Sequence, residues 1–335
     1  MRHRYAFVLA SALIAGPLAA QHARPPQTLA VGAPAGGTAV VSADDRTAVL
    51  WEDETSHQLL VRVADGRGTV FGAAVRIDDG TGADKHVDRY SIAAADGFLY
   101  AAWRDERNGR ADVYFCGSAD GGLTWSPNRR IEDGSTPGSR TVDELQLCAS
   151  GDYVYVGMLV DDVLGVEGAW MAGSYDHGQN WNPTMRADTG NANCDFLSIC
   201  CEDINAWIVF ADDRNGGGLR DFYLRMTHSG ASTWMRPEQH LDASGAGSGD
   251  VEGVLVRGGM LGLVTAWLED QLPASPIDRE LHYLYSPNGG HLWPNAEVVV
   301  ATGADAEQAA MAYDGVAVLL AWATTAAAAT RSTPR

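Results

Sequence analysis

The residues of this chain best placed to do chemistry are carboxylates that recur in pairs at corresponding points along it: Asp53-Glu54, Asp105-Glu106, Asp161-Asp162, Asp212-Asp213 and Glu269-Asp270. Asp84, Asp88, Asp143, Glu144, Asp195, Asp250 and Glu252 add to them between the pairs. Acids in such numbers support three outcomes. Paired with Arg107 or Arg214 they brace a solvated surface, which is the common fate of surface charge. Gathered around one point they take Ca²⁺, which prefers carboxylate and carbonyl oxygens, although no loop here has the EF-hand ligand spacing. Two at a suitable separation hydrolyse a glycoside, one protonating the leaving oxygen and the other acting as base or nucleophile.

Single residues sharpen the third outcome. Asp88-Arg89-Tyr90 opens a strand and brings an acid, a cation and a phenol together; Asp88, Tyr90, Asp105 and Glu252 are the candidate catalytic residues. The structural alternative is strand-start capping with Tyr90 packed against a neighbour. Arg89, Arg107, Arg140, Arg214 and Arg279 fall in or beside the same loops and are candidate ligands for an anionic sugar, each with acids nearby in sequence to pair with. Other chemistries lack their signatures. The nine histidines form no HExxH and no i, i+4 pair suited to zinc. Gly245-Ala-Gly-Ser-Gly249 matches GxSxG only inside a Gly/Ser loop, without the strand and helix a nucleophile elbow needs. No P-loop is evident, and no cofactor is required beyond an optional Ca²⁺.

The elements that must position these residues are repetitive. The octet Ser118-Ala-Asp120-Gly-Gly122-Leu-Thr-Trp125 returns as Ser174-Tyr-Asp176-His-Gly178-Gln-Asn-Trp181 and as Ser286-Pro-Asn288-Gly-Gly290-His-Leu-Trp293. A weaker copy ends at Trp234, and a degenerate one begins at Val63. The Ser and Asp side chains suit turn amides, Gly supplies positive φ, and Trp covers the apolar side of a hairpin. A second recurrence, an apolar run ending in Trp51, Trp103, Phe210, Trp267 or Trp322, precedes the octets. Between these landmarks lie short strands with turn residues at regular intervals, such as Tyr90–Ala94, Phe98–Trp103, Asp112–Cys116 and Arg129–Ile131, and no helical periodicity. Four-stranded units repeated radially form a β-propeller. The expectation is an all-β, six-bladed propeller of four-stranded antiparallel blades, at about 36–83, 84–138, 139–190, 191–246, 247–304 and 305–335, the last closed by a strand at 27–31. Antiparallel order then puts the octet turns on one face and the acidic loops on the other.

These octets resemble the Asp-box (BNR) repeats of the sialidase superfamily, as does the run Trp103-Arg-Asp-Glu-Arg-Asn-Gly109, and the resemblance covers nearly the whole chain after residue 20. It implies a carbohydrate-directed propeller with structural, not catalytic, octets. In that family the first arginine of a substrate-clamping triad lies in a Phe/Tyr-Arg-Ile-Pro motif, whereas the corresponding stretch here, Ala33 to Ala43, has no arginine. No catalytic residue carries over, and the implied activity is a glycosidase of another specificity or a glycan binder, with a non-catalytic scaffold as the alternative.

The net charge of -19, from 43 acidic and 24 basic residues, excludes a nucleic-acid partner, because no basic run exists to displace counterions from phosphates. Residues 1–20 read as a secretory signal peptide: Arg2 and Arg4, an apolar run, then Gly16-Pro17 and small residues. That run is too short to span a membrane, and no later one is longer. The expected protein is therefore a single domain from 21 to 335, secreted or periplasmic, monomeric, and directed at an extracellular glycan or surface polymer. Its five cysteines form no CxxC pair, and spacing does not reveal their connectivity.

Overall fold

The computed structural model describes residues 35–324 except 44–45, 54, 65–69, 81–86, 132–134, 162–164, 190–191, 244, 271–278 and 301–304. The proposed signal peptide, the closing strand at 27–31 and part of the degenerate octet at Val63 lie outside the described residues.

Six antiparallel sheets follow one another along the chain, with no helix among the described residues. Sheet 1 contains β1 (Ala35–Ala43), β2 (Arg46–Asp53), β3 (Gln58–Ala64) and β4 (Val75–Arg76). Sheet 2 contains β5 (Val87–Ala95), β6 (Phe98–Asn108), β7 (Arg110–Ser118) and β8 (Arg129–Arg130). Sheet 3 is built of β9 (Thr141–Ser150), β10 (Tyr153–Asp161), β11 (Glu167–Ser174) and β12 (Met185–Arg186). Sheet 4 comprises β13 (Cys194–Glu202), β14 (Asn205–Asp212), β15 (Asp221–Thr227) and β16 (Gln239–His240). Sheet 5 holds β17 (Asp250–Gly259), β18 (Gly262–Asp270), β19 (Arg279–Ser286) and β20 (Val298–Val300), and sheet 6 holds β21 (Ala306–Tyr313) and β22 (Val318–Thr324). Strands pair in sequence order within every sheet. The strands read in residues 90–131 are thus present, the first three longer than the sequence indicated and the fourth, β8, ending one residue sooner.

Hydrophobic burial explains the stacking. The second strands of sheets 2 to 5 are apolar on both faces because those sheets are covered on both sides, whereas β22 in sheet 6 is exposed, and a separate core fills each junction between consecutive sheets. Trp103, Phe210 and Trp267 are fully buried at these junctions, which accounts for the recurrence of an aromatic residue at that position in the sequence. First strands pack side by side from β1 through β5, β9, β13 and β17 to β21.

The octets form the same turn three times. Ser118 Oγ accepts the Gly122 amide at 2.7 Å, Ser174 Oγ that of Gly178 at 2.9 Å, and Ser286 Oγ that of Gly290 at 2.8 Å. Asp120, Asp176 and Asn288 then receive the amide four residues on, at 2.9, 2.7 and 2.9 Å. Gly122 has φ 91°, and a Cβ there would meet Val63 at 2.5 Å, so no other residue fits. The Asp120 carboxyl falls to about 2, held ionised chiefly by the Thr124 hydroxyl and amide.

Two further devices were not evident from the sequence. Asp78, Asp188 and Asp242, buried just past the short fourth strands, accept the amides of Leu59, Ala169 and Phe222 at 2.5, 2.9 and 2.7 Å and so tie the fourth strand to the third. Every first strand also carries one extra residue near its start. The extra residue is Arg89 in β5, Asp143 in β9, Phe196 in β13, Glu252 in β17 and Gln308 in β21, with a corresponding shift between Ala35 and Thr38 in β1. Arg89, Phe196 and Gln308 adopt left-handed φ of 45°, 55° and 49°, which costs energy in a non-glycine residue. Such bulges redirect side chains and are common beside functional sites.

Candidate functional site

The face opposite the octets collects the second-to-third strand loops and the bulged starts of the first strands. Most acids there are already matched. Asp105, fully buried, bonds the Trp103 indole at 3.3 Å and the Arg107 guanidinium at 2.6 Å, and that guanidinium lies 3.9 Å over the Tyr114 ring. Sheet 4 repeats the arrangement: buried Asp212 holds Arg214, which sits 4.1 Å over Tyr223 and also meets Glu238. The following asparagines, Asn108 and Asn215, donate to Asp112 and Asp221. These two loops read Asp105-Glu-Arg-Asn-Gly109 and Asp212-Asp-Arg-Asn-Gly216.

Sheet 3 keeps the frame but changes its cations: Asp161-Asp-Val-Leu-Gly165 has apolar residues where the others have Arg and Asn. The acids around it have lost their partners. Asp161 Oδ1 is buried with no hydrogen bond. Glu167 stands opposite Asp161 in the ladder, where Asp112 and Asp221 stand in sheets 2 and 4. Burial pushes its carboxyl up to about 8, helped by Asp143, Asp195, Asp161 and Glu144. Glu144, the residue after the β9 bulge, is pushed up to about 7 by burial, against the pull of Arg89 and with the push of Asp195. Neither Glu144 nor Glu167 forms an ion pair among the described residues.

The arginines divide the same way. Arg279 is committed to Asp305 at 2.8 Å and to Glu252, and Arg220 to Asp250 at 2.8 Å and Asp195 at 3.4 Å. Arg104 gathers Asp88 at 3.0 Å, Glu106 at 3.2 Å and Asp143 at 3.4 Å. Arg89, exposed on its bulge, and Arg140, 5.8 Å from the Trp170 ring just before β9, form no ion pair among the described residues, and the charge of Arg89 acts on Glu144.

The candidates named from sequence therefore fare differently. Arg89 acts on the unmatched Glu144 and Arg140 lies over the Trp170 ring, whereas Arg107, Arg214 and Arg279 are occupied in braces. Asp88 sits one arginine away from Asp143, through Arg104. Asp105 is enclosed, and the Tyr90 hydroxyl accepts the Glu52 amide at 3.3 Å while its ring packs into the junction of sheets 1 and 2. Glu252 lies in sheet 5 against Arg279. Glu167 was not singled out from sequence. Aligning the three Asp-x-x-x-Gly loops would have found it, because the loop that drops its Arg and Asn precedes it.

Two sets of residues are close enough to share a metal ion among the described residues: Asp221, His240 and Asp242, and Glu269, His282 and Glu297. Both are already braced. Asp221 receives the Gly247 amide at 2.8 Å and Asp242 the Phe222 amide at 2.7 Å, while His282 stands between Glu269 and Glu297 much as Arg214 stands between Asp212 and Glu238. The sheet 3 carboxylates are not drawn together to that degree. On the octet face, a shallow cleft lies between Phe98, Phe115, Arg129 and His177.

No protein-family model matches the chain, and no curated protein matches it by sequence. Solved structures do. The polysaccharide lyase Uly1 aligns with a TM-score of 0.56 at 10% identity, over 87% of this chain and 74% of that one. A Trypanosoma rangeli sialidase in complex with sialic acid aligns at 0.51 and 12% identity, over 86% of this chain and 52% of that one, so the chain spans about half of the sialidase. An α-L-arabinanase from Penicillium chrysogenum gives 0.44 at 14% identity, over 71% and 78%. The likeness to the lyase and the sialidase is one of fold, that of an all-β chain built of four-stranded antiparallel sheets.

Proposed function

We propose that the chain is an exported, monomeric, carbohydrate-acting six-bladed propeller, closed by residues 27–31, in which Glu144 and Glu167 work as an acid–base pair. The observation that carries this reading is the contrast within one repeat: sheet 3 retains the acids of its neighbours and lacks their cations. With carboxyls raised to about 7 and about 8, Glu144 is the more readily ionised and Glu167 the more readily protonated near neutrality. The protonated one donates to the glycosidic oxygen as the bond to the sugar carbon breaks, and the ionised one draws a proton from the attacking water or attacks the carbon itself. Glu167, the higher of the two, is the proposed acid. Arg89 and Arg140 provide positive charge for the carboxylate or sulfate of an anionic sugar, consistent with the polysaccharide lyase and the sialic acid-bound sialidase among the fold neighbours. The absence of arginine from Ala33 to Ala43 argues for a sugar other than sialic acid. The reading needs no cofactor, and Ca²⁺ would serve only to hold loop carboxylates.

The test is incubation of residues 21–335 with a panel of acidic and neutral extracellular glycans, reading retention and glycan mass together. Product release that falls at least a hundredfold in Glu144→Gln and in Glu167→Gln supports the pair. The second reading, a binding or scaffold propeller, is favoured by the braces on Asp105, Asp212 and Glu252. Retention with no change of mass would select it.

A further inference from the structure

We propose that Cys148 and Cys201 form a disulfide that stitches the first strands of sheets 3 and 4 together near the ends of those strands remote from the candidate site. The contact between β9 and β13 is a ladder of side-chain rungs. Gln146 Nε2 donates to the Leu197 carbonyl at 2.6 Å, and its Oε1 accepts the Ile199 amide at 3.3 Å. Four residues along the same face of β9, Ser150 Oγ donates to Asp203 Oδ1 at 3.3 Å. Cys148 and Cys201 occupy the rung between, and their thiols are within hydrogen-bonding contact. Both are half-buried and pack in the same sheet 3–sheet 4 core.

The remaining cysteines have no such neighbour. Cys200 points to the other face of β13, into the sheet 4–sheet 5 core, so its adjacency to Cys201 in sequence does not bring the two thiols together. Cys116 is buried between sheets 1 and 2, and Cys194 lies at the far end of β13. One bridge and three thiols is the arithmetic that five cysteines allow here.

The chemistry is thiol–disulfide exchange with a small-molecule disulfide such as oxidised glutathione. One protein thiolate attacks the reagent and expels one glutathione thiolate; the second protein thiolate then attacks the mixed disulfide and expels the other glutathione. Two protein thiols are oxidised and one reagent disulfide is reduced to two thiols. Burial raises the Cys148 thiol, so exchange is slow at neutral pH and faster in alkali.

The experiment is independent of any enzymatic activity. The full chain is incubated with oxidised glutathione at pH 8.5, unfolded in guanidinium, and titrated for free thiols, with a non-reducing peptide map. The expected result is three thiols, a mass about 2 Da lower, a Cys148–Cys201 linked peptide, and a melting temperature that drops by roughly 5–10 °C on reduction. Cys200→Ser should still form the bridge, and Cys148→Ser should lose it. Five thiols after oxidation, or a linked peptide joining any other pair, would overturn the assignment.

Discussion

Sheets 2 and 3 are built from the same repeat and differ in how they treat the same acids. In sheet 2 the buried Asp105 is neutralised by Arg107, which is itself raised further above its ordinary range by that carboxylate and Asp79, and the loop is fixed by Asn108. In sheet 3, Asp161 has an oxygen buried without a bond, and Glu144 and Glu167 hold protons at pH values where carboxyls are ordinarily ionised. A device that recurs in several sheets is a brace. The sheet that departs from it tolerates unmatched buried acids, which are costly and cluster where a protein does chemistry.

Short of removing Glu144 or Glu167 itself, the largest effect should come from making sheet 3 resemble its neighbours. Val163→Arg with Leu164→Asn recreates the loop of sheets 2 and 4. Glycan turnover should fall at least tenfold while the melting temperature holds or rises, and full activity in the double variant would break the comparison. The reverse change, Arg107→Ala in sheet 2, leaves Asp105 buried without its cation. Stability should fall by about 3 kcal/mol in denaturant unfolding, with turnover per folded molecule unchanged.

A smaller effect concerns pH. A carboxyl with a raised pKa holds a proton in the folded chain after the unfolded chain, with a value near 4.5, has released its own. The stability it contributes is complete below that value and is lost as the pH rises through about 7 for Glu144 and about 8 for Glu167. Glu167→Gln should therefore melt a few degrees above the parent at pH 9 and level with it at pH 4; equal melting at both would remove the burial argument. Asp120→Ala, on the octet face, should lower stability with no effect on glycan retention. Loss of retention at unchanged melting temperature would move function to that face.

The fold was legible because its signals are periodic. Octets every 53–59 residues and Trp at the ends of second strands exist to fill identical turns and identical junctions, so they repeat. The site was half legible. Arg89 and Arg140 could be named as cations outside the recurring brace, but Asp105 and Arg107 drew attention through a motif whose very recurrence marks it as structural. Glu167 was missed because its role comes from what is absent two to four residues before it, Arg and Asn, and from a ladder register that only the folded chain displays. The bulges that turn out Arg89, Asp143 and Glu252 are single-residue register shifts with no signature in composition or spacing.

The measurement that most directly tests the central claim is a carbon-13 NMR titration of the glutamate side-chain carboxyls. The account predicts two resonances titrating at about 7 and about 8, one lost in Glu144→Gln and the other in Glu167→Gln, with the survivor shifting downward in each. If every glutamate carboxyl titrates near its ordinary value, sheet 3 holds no poised pair and the comparison with sheet 2 carries no chemistry.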